Sequence, residues 1–184
     1  MSDIDKEYDR YLSMPPLSVV HELFRYDPET GNLYNKKSRM GAAAGKIAGT
    51  READGYRSVS VNMRRYRVHR IIYMMIHGVD PGRREIDHIN GDPSDNRPAN
   101  LRLATHSQNR RNVGALANNK TGLRGVNWHK TRGKYRACIS INGTQKHIGH
   151  FDCPLEAARA YDQAAISHYG EFANVNFSAE TSNG

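Results

Sequence analysis

An α+β chain in two parts is what this sequence predicts, and three observations carry that reading. Between residues 85 and 112, apolar runs and turn formers alternate to give a strand, a loop, a second strand and a helix. From Lys134 to Ile141 the residues alternate, Tyr135, Ala137, Ile139 and Ile141 against Lys134, Arg136, Cys138 and Ser140. Asn142-Gly143 then makes a two-residue hairpin turn into a strand from Gln145 to His150. Finally, Cys153-Pro154-Leu155-Glu156 opens a helix, with proline in its first turn and glutamate near its positive end. At 184 residues the chain holds one medium domain or two small ones, each with a modest core.

In chain order, Leu17 to Tyr26 reads as an amphipathic helix, Asp27 to Gly31 as a turn, and the segments near 32–35 and 56–61 as strands. Ile71-Ile72-Tyr73-Met74-Met75-Ile76, opened by His69-Arg70, reads as a buried helix ended by Gly78, with a structural or phosphate-contacting role for the His-Arg pair slightly favoured over a catalytic one. A third strand near Arg124 to Trp128 completes the C-terminal sheet, and Leu155, Ala158, Tyr161 and Ala165 form the apolar stripe of the last helix. Trp128 either stacks on a sugar-phosphate backbone or fills the small core. Residues 1–112 form the first domain, 113–121 a linker, 122–177 the second domain and 178–184 a tail.

Charge narrows the partner. The net charge is +8 and the pI near 9.6, which favours something acidic. The first thirty residues carry seven acids against three bases and are not expected to touch nucleic acid. Lys36 to Arg70 reverses this, with ten bases against two acids, and Arg64, Arg65 and Arg67 are placed to grip phosphates. From Arg110 to Phe151 there are nine Lys or Arg and no acid, the electrostatic footprint of nucleic-acid binding, where an ordinary solvated face mixes signs. The two cysteines, Cys138 and Cys153, are too few for a zinc ribbon and fit a reducing cytoplasm. No apolar run approaches the roughly 20 residues that cross a bilayer, the acidic N-terminus is unlike a secretory signal, and no small-molecule cofactor is expected.

The chemistry concentrates at Asp87-His88. A strand delivers this carboxylate and imidazole together into a loop of turn formers, Asn90-Gly91-Asp92-Pro93, in which Asp92 and Asp95 read as turn and cap residues. On the helix after Thr105, His106, Asn109 and Arg110 share a face, so Asn109 can point back toward Asp87. Oxygen donors from Asp87 and Asn109 suit a hard cation such as Mg2+, with Mn2+ the alternative. A histidine with an ordinary pKa near ~6.5 can take a proton from water near neutrality, and His88 is the candidate. Singly, each residue is equally a tight-turn former or a locally satisfied polar group; together they point to metal-dependent phosphodiester hydrolysis.

Residues 87–109 resemble the HNH motif of homing endonucleases found in phage genomes and phage introns. Asp87-His88, Asn100 just before Leu101, and Asn109 match that motif in order. The resemblance implies a ββα-metal fold, His88 as general base, Asp87 and Asn109 on one divalent metal, and Asn100 bonding across the loop to hold His88. The last position departs from the usual histidine; Asn109 is favoured over His106, one turn earlier, as the ligand. Residues 122–177, through Arg124-Gly125-Val126, Ile148-Gly149-His150-Phe151, Glu156 to Asp162, Ala164-Ala165 and Asn176-Phe177, resemble the AP2 DNA-binding domain. That resemblance implies a three-stranded sheet packed on one helix and lying in the DNA major groove. It assigns Arg124, Asn127, His129, Arg132, Lys134, Arg136, Ser140, Gln145 and His147 to DNA; Arg110, on the helix face shared with His106 and Asn109, is a further expected DNA contact. Several of these differ from the plant pattern, so the target sequence does not carry over.

The expected function is therefore a metal-dependent, sequence-directed endonuclease acting on double-stranded DNA, nicking as a monomer, with a dimer needed for two simultaneous cuts. The competing reading is a non-catalytic AP2-type regulator on a degenerate nuclease scaffold. The expected setting is the cytoplasm of a bacterial or phage-infected cell, away from membranes.

Overall fold

A computed structural model describes residues 13–39, 41–109 and 119–177. The chain divides into two compact units, Met1–His106 and Ser107–Gly184. Both are built on small antiparallel sheets, and helices pack within them, so the class is mixed α+β.

In the first unit, helix α1 (Leu17–Leu23) passes directly into strand β1 (Phe24–Asp27). The helix expected to reach Tyr26 thus stops three residues early. Phe24 is extended and fully buried, and β1 pairs antiparallel with β2 (Asn32–Asn35), so the alternation of Phe24 and Tyr26 serves a strand. The expected turn follows, closed by the Gly31 N–H donating to the Asp27 carbonyl at 2.9 Å. Strands β3 (Thr50–Arg51), β4 (Arg57–Val61) and β5 (Arg64–Arg67) form a meander with β4 in the middle.

Strand β5 leads into helix α2 (Val68–His77), which ends at Gly78 in the left-handed region, its N–H on the Met74 carbonyl. Val68, Ile71, Ile72 and Met74 bury one face of α2 in a core shared with Val20, Phe24, Leu33, Val61, Ile86 and Leu101. Full burial of Ile71 and Ile72 contributes roughly 1.5–3 kcal/mol each. Against this core lies a two-stranded ribbon, β6 (Glu85–His88) with β7 (Leu101–Ala104), in which Asp87 faces Arg102 and His88 faces Leu101. Helix α3 (His106–Asn109) is a single turn.

The second unit is a sheet of β8 (Val126–His129), β9 (Lys134–Ile141) and β10 (Thr144–Phe151), with β9 central, and helix α4 (Pro154–Tyr169). Ala157, Ala158, Tyr161 and Ala165 are buried, and small side chains let the helix lie close to Val126, Ala137 and Ile139. Leu155, expected in that stripe, is half exposed because it sits in the first turn. Cys138, expected on the polar face of β9, is buried in the middle of the central strand. Trp128 is half exposed and packs edge-on against Tyr135, ring centroids 4.9 Å apart. No helix among the described residues is long and apolar enough to cross a membrane.

Candidate active site and basic sheet face

Strand β6 ends at the site. Its last residues, Asp87 and His88, are both buried, and the loop that follows is held by a lattice of short polar contacts. Asn100 organises that loop. Its Oδ1 accepts from the Asn90 N–H at 2.9 Å, and its Nδ2 donates to Asn90 Oδ1 at 2.9 Å and to the Asp95 carbonyl at 2.7 Å. Asp92 accepts from the Ser94 N–H and hydroxyl. Asp95 takes Arg97 Nε and Nη2 at 2.8 and 2.6 Å, and the Arg97 guanidinium holds its carboxyl down to about 2.

Asn96 reaches His88, its Oδ1 lying 3.0 Å from His88 Nε2. The resemblance implies that Asn100 bonds across the loop to hold His88; its side chain does bond across the loop, to Asn90 and the Asp95 carbonyl, while the imidazole itself meets Asn96. Asn96 is itself fixed from the other end of the unit: the Tyr26 hydroxyl donates to its carbonyl at 2.8 Å. Burial pushes that phenol up to about 12, so it remains a donor throughout the working range.

Two rings complete the enclosure of His88. Tyr56 lies 5.7 Å from it and His69 5.3 Å, centroid to centroid, the latter edge-on, and Tyr56 and His69 touch each other at 5.1 Å. His69 is buried, and that burial, with His88 and Arg70 nearby, pushes its imidazole down to about 3, so it is neutral beside His88. Its neighbour Arg70 is structural, donating to the carbonyls of Arg84 and Gly82 at 2.7 Å each.

Asp87 is paired with Arg102, whose Nε and Nη2 reach Oδ2 at 2.8 and 2.7 Å. This pair is nearly closed to solvent, and removing either partner leaves a buried charge. Arg102 stood in the sequence only as the polar member of an alternating strand; cross-strand register makes it the partner of Asp87. His106 Nδ1 lies 2.7 Å from Glu85 Oε1, and Asn109 closes α3. Among the described residues, no three His, Cys, Asp or Glu side chains are grouped to hold a metal. Arg65 pairs with Glu52 at 3.0 Å, and Arg67 pairs with Asp54 at 2.7 Å and lies over the Tyr56 ring. Phosphate contact by either must compete with those acids; Arg64 is exposed at the start of β5. Arg110 lies outside the described residues.

In the second unit, register gathers the basic and polar side chains. Asn127 pairs with Arg136, His129 with Lys134, Ser140 with Gln145, and Cys138 with His147. Alternation therefore puts Asn127, His129, Lys134, Arg136, Ser140, Gln145 and His147 on one face, opposite Val126, Ala137 and Ile139, which pack on α4. A bulge between His147 and Gly149 brings His150 to the same face, opposite Arg136. Strict alternation along β10 hides this residue, and no local sequence signal marks the bulge. His150 Nδ1 lies 3.1 Å from His147 Nε2, and its ring stands edge-on to His129. Desolvation, then the cationic neighbours, push its pKa down. Lys134 leans to Asp152 at 3.0 Å, and Arg132 lies in the turn after β8. Arg124 is anchored through its backbone by Asn176, which Asp162 holds in turn from α4.

Comparison with known proteins follows this division. A family model for HNH endonucleases matches residues 66–111, and one for the AP2 domain matches residues 121–171. An uncharacterised HNH endonuclease of Acanthamoeba polyphaga mimivirus is 34% identical over 119 residues, covering 64% of this chain and 61% of the viral protein. Protein 3.8 of Escherichia phage T7 is 34% identical over 88 residues, 48% of this chain and 72% of the phage protein. An AP2-like ethylene-responsive transcription factor of Arabidopsis thaliana is 33% identical over 81 residues, 39% of this chain and 15% of the plant factor. The chain thus spans under two thirds of the mimivirus protein and a small part of the plant one. With one model matched over the buried Asp87-His88 strand and the other over the three-stranded sheet, the chain carries an HNH endonuclease domain followed by an AP2 domain, and it is a relative of the phage T7 protein 3.8.

Proposed function

We propose that this protein is a metal-dependent endonuclease that nicks double-stranded DNA, directed to its sites by the C-terminal sheet. The observation that carries the reading is the pairing of two buried groups at the end of β6: Asp87, oriented by Arg102, and His88, oriented by Asn96 and two rings. In this reading the strand–loop–strand from Glu85 to Ala104 supplies the two strands of a ββα-metal site of the homing-endonuclease type.

Asn96 Nδ2 donates to the Ser94 carbonyl, which turns Oδ1 toward His88. The imidazole then carries its proton on Nε2, and Nδ1 bears the basic lone pair. Nδ1 is closed to solvent in the free protein; once DNA binding admits water to it, the water would give a proton to that lone pair as its oxygen bonds to phosphorus, and the bridging P–O bond would break with the leaving oxygen taking a proton from solvent. By donor chemistry alone, a carboxylate such as that of Asp87 and an amide oxygen such as that of Asn109 would suit Mg2+ or Mn2+. Bound there, such an ion neutralises charge on the scissile phosphate. Asn100 keeps the loop closed, so the imidazole enters the reaction already aligned.

The sheet face from Asn127 to His150 presents hydrogen-bond donors and acceptors of the kind that read base edges, whereas phosphate contacts carry little sequence information. The experiment is to select bound duplexes from a random library with the full chain, then incubate them with Mg2+ or EDTA. Metal-dependent nicks support the reading. Tight binding with no cutting under any divalent metal favours the AP2-type regulator.

A further inference from the structure

Among the described residues, two hairpins turn through an Asn-X pair with both central residues in the left-handed region. One is Asn142-Gly143, φ 51° and 78°, with the glycine such turns demand. The other is Asn62-Met63, between β4 and β5, with φ 49° and 60°. Methionine at that position is strained, since a side chain with φ in this region crowds its own backbone. The strain serves no packing: Met63 is 96% exposed, the most exposed of the large hydrophobic side chains among the described residues. A costly conformation that holds an apolar side chain in water, at the tip of a rigid hairpin, is an outlier that points to function.

Charge says what it meets. Arg64 and Arg65 follow directly and are exposed, and the stretch from Lys36 to Arg70 has ten bases against two acids. An apolar tip in a basic setting matches a nucleic-acid duplex, into which methionine can wedge between base steps from the minor-groove side. Resting on the reading that this protein engages duplex DNA, we infer that Met63 is a wedge that partly unstacks one base step and kinks the duplex near the cut. Its reach is set by β5. At ~3.3 Å per residue the tip stands roughly 16 Å from Val68, the residue before His69, or about five base steps at ~3.4 Å each.

The test uses the full chain and duplexes selected as above, with end-labelled DNA to read bending by energy transfer and 2-aminopurine placed at successive steps to read unstacking. Wild type is expected to bend the duplex and raise 2-aminopurine fluorescence at one step within about five base pairs of the nick. Met63→Gly, which relieves the turn, is expected to melt at or above the wild-type temperature, to lose the fluorescence and the bend, and to bind about tenfold more weakly. Met63→Leu is expected to keep all three. Bending and unstacking unchanged in Met63→Gly overturn the wedge and leave the proposed nuclease standing. A dimer dissolved by Met63→Gly with bending intact overturns it also, and absence of duplex binding by wild type overturns both.

Discussion

His69 shows at the scale of one residue what the sequence could and could not convey. It was visible as part of a His-Arg pair opening a helix, but its neighbours Tyr56 and His88 lie 13 and 19 positions away in the chain and meet it only through the fold. The same holds for Asn96 and Arg102. Asp87 and His88 stood out because adjacent acid and imidazole before a turn is a local pattern; the groups that hold them are one amide among many in a polar loop and one arginine in an alternating strand. His69 also carries a pH signature. Its folded pKa, about 3, lies below its ordinary value, so the unfolded state takes a proton first as pH falls. Stability is therefore lost between about pH 6.5 and pH 3, at about 1.4 kcal/mol per pH unit over the middle of that window. Chemical denaturation of His69→Phe at pH 6, 5 and 4 should show a slope shallower by about that amount; an unchanged slope would mean the imidazole is not the titrating group.

Elements were legible where periodicity and turn chemistry agreed. Helix α2, its stop at Gly78, the Asn142-Gly143 hairpin and the proline-led start of α4 all follow from local rules. The misreadings came from contacts that local rules do not contain. Helix α1 yields to β1 at Phe24 because β2 offers a partner, and His150 reaches the polar face through a bulge at Ile148. Packing of α4 on the sheet leads to a sharper expectation. Gly125 has φ 72°, and a β-carbon there would fall 2.1 Å from the Tyr161 ring and 2.8 Å from the Cys138 carbonyl. Gly125→Ala should destabilise the second unit by about 2–4 kcal/mol, combining left-handed strain with overpacking. Urea unfolding followed by Trp128 fluorescence reads that unit, since this is the chain's one tryptophan.

For the whole molecule, composition and charge indicated two parts and an acidic partner, and the two compact units each have their own core. Which strands neighbour which, and which side chains close over Asp87-His88, depended on long-range pairing that a single sequence leaves implicit. A tethered reader raises the local concentration of the nuclease at chosen sites. Removing residues 122–184 should therefore weaken duplex binding and flatten sequence preference, while metal-dependent nicking stays detectable at high protein concentration. Loss of all nicking from a truncated chain that retains its circular dichroism would break this modular account.

Most direct is strand-resolved cleavage of a selected duplex in Mg2+ by wild type and His88→Ala, with binding measured in parallel. Nicking reduced by roughly 10²–10⁴-fold at unchanged affinity is the outcome expected if His88 takes the proton from water. Equal nicking by the two proteins would contradict it.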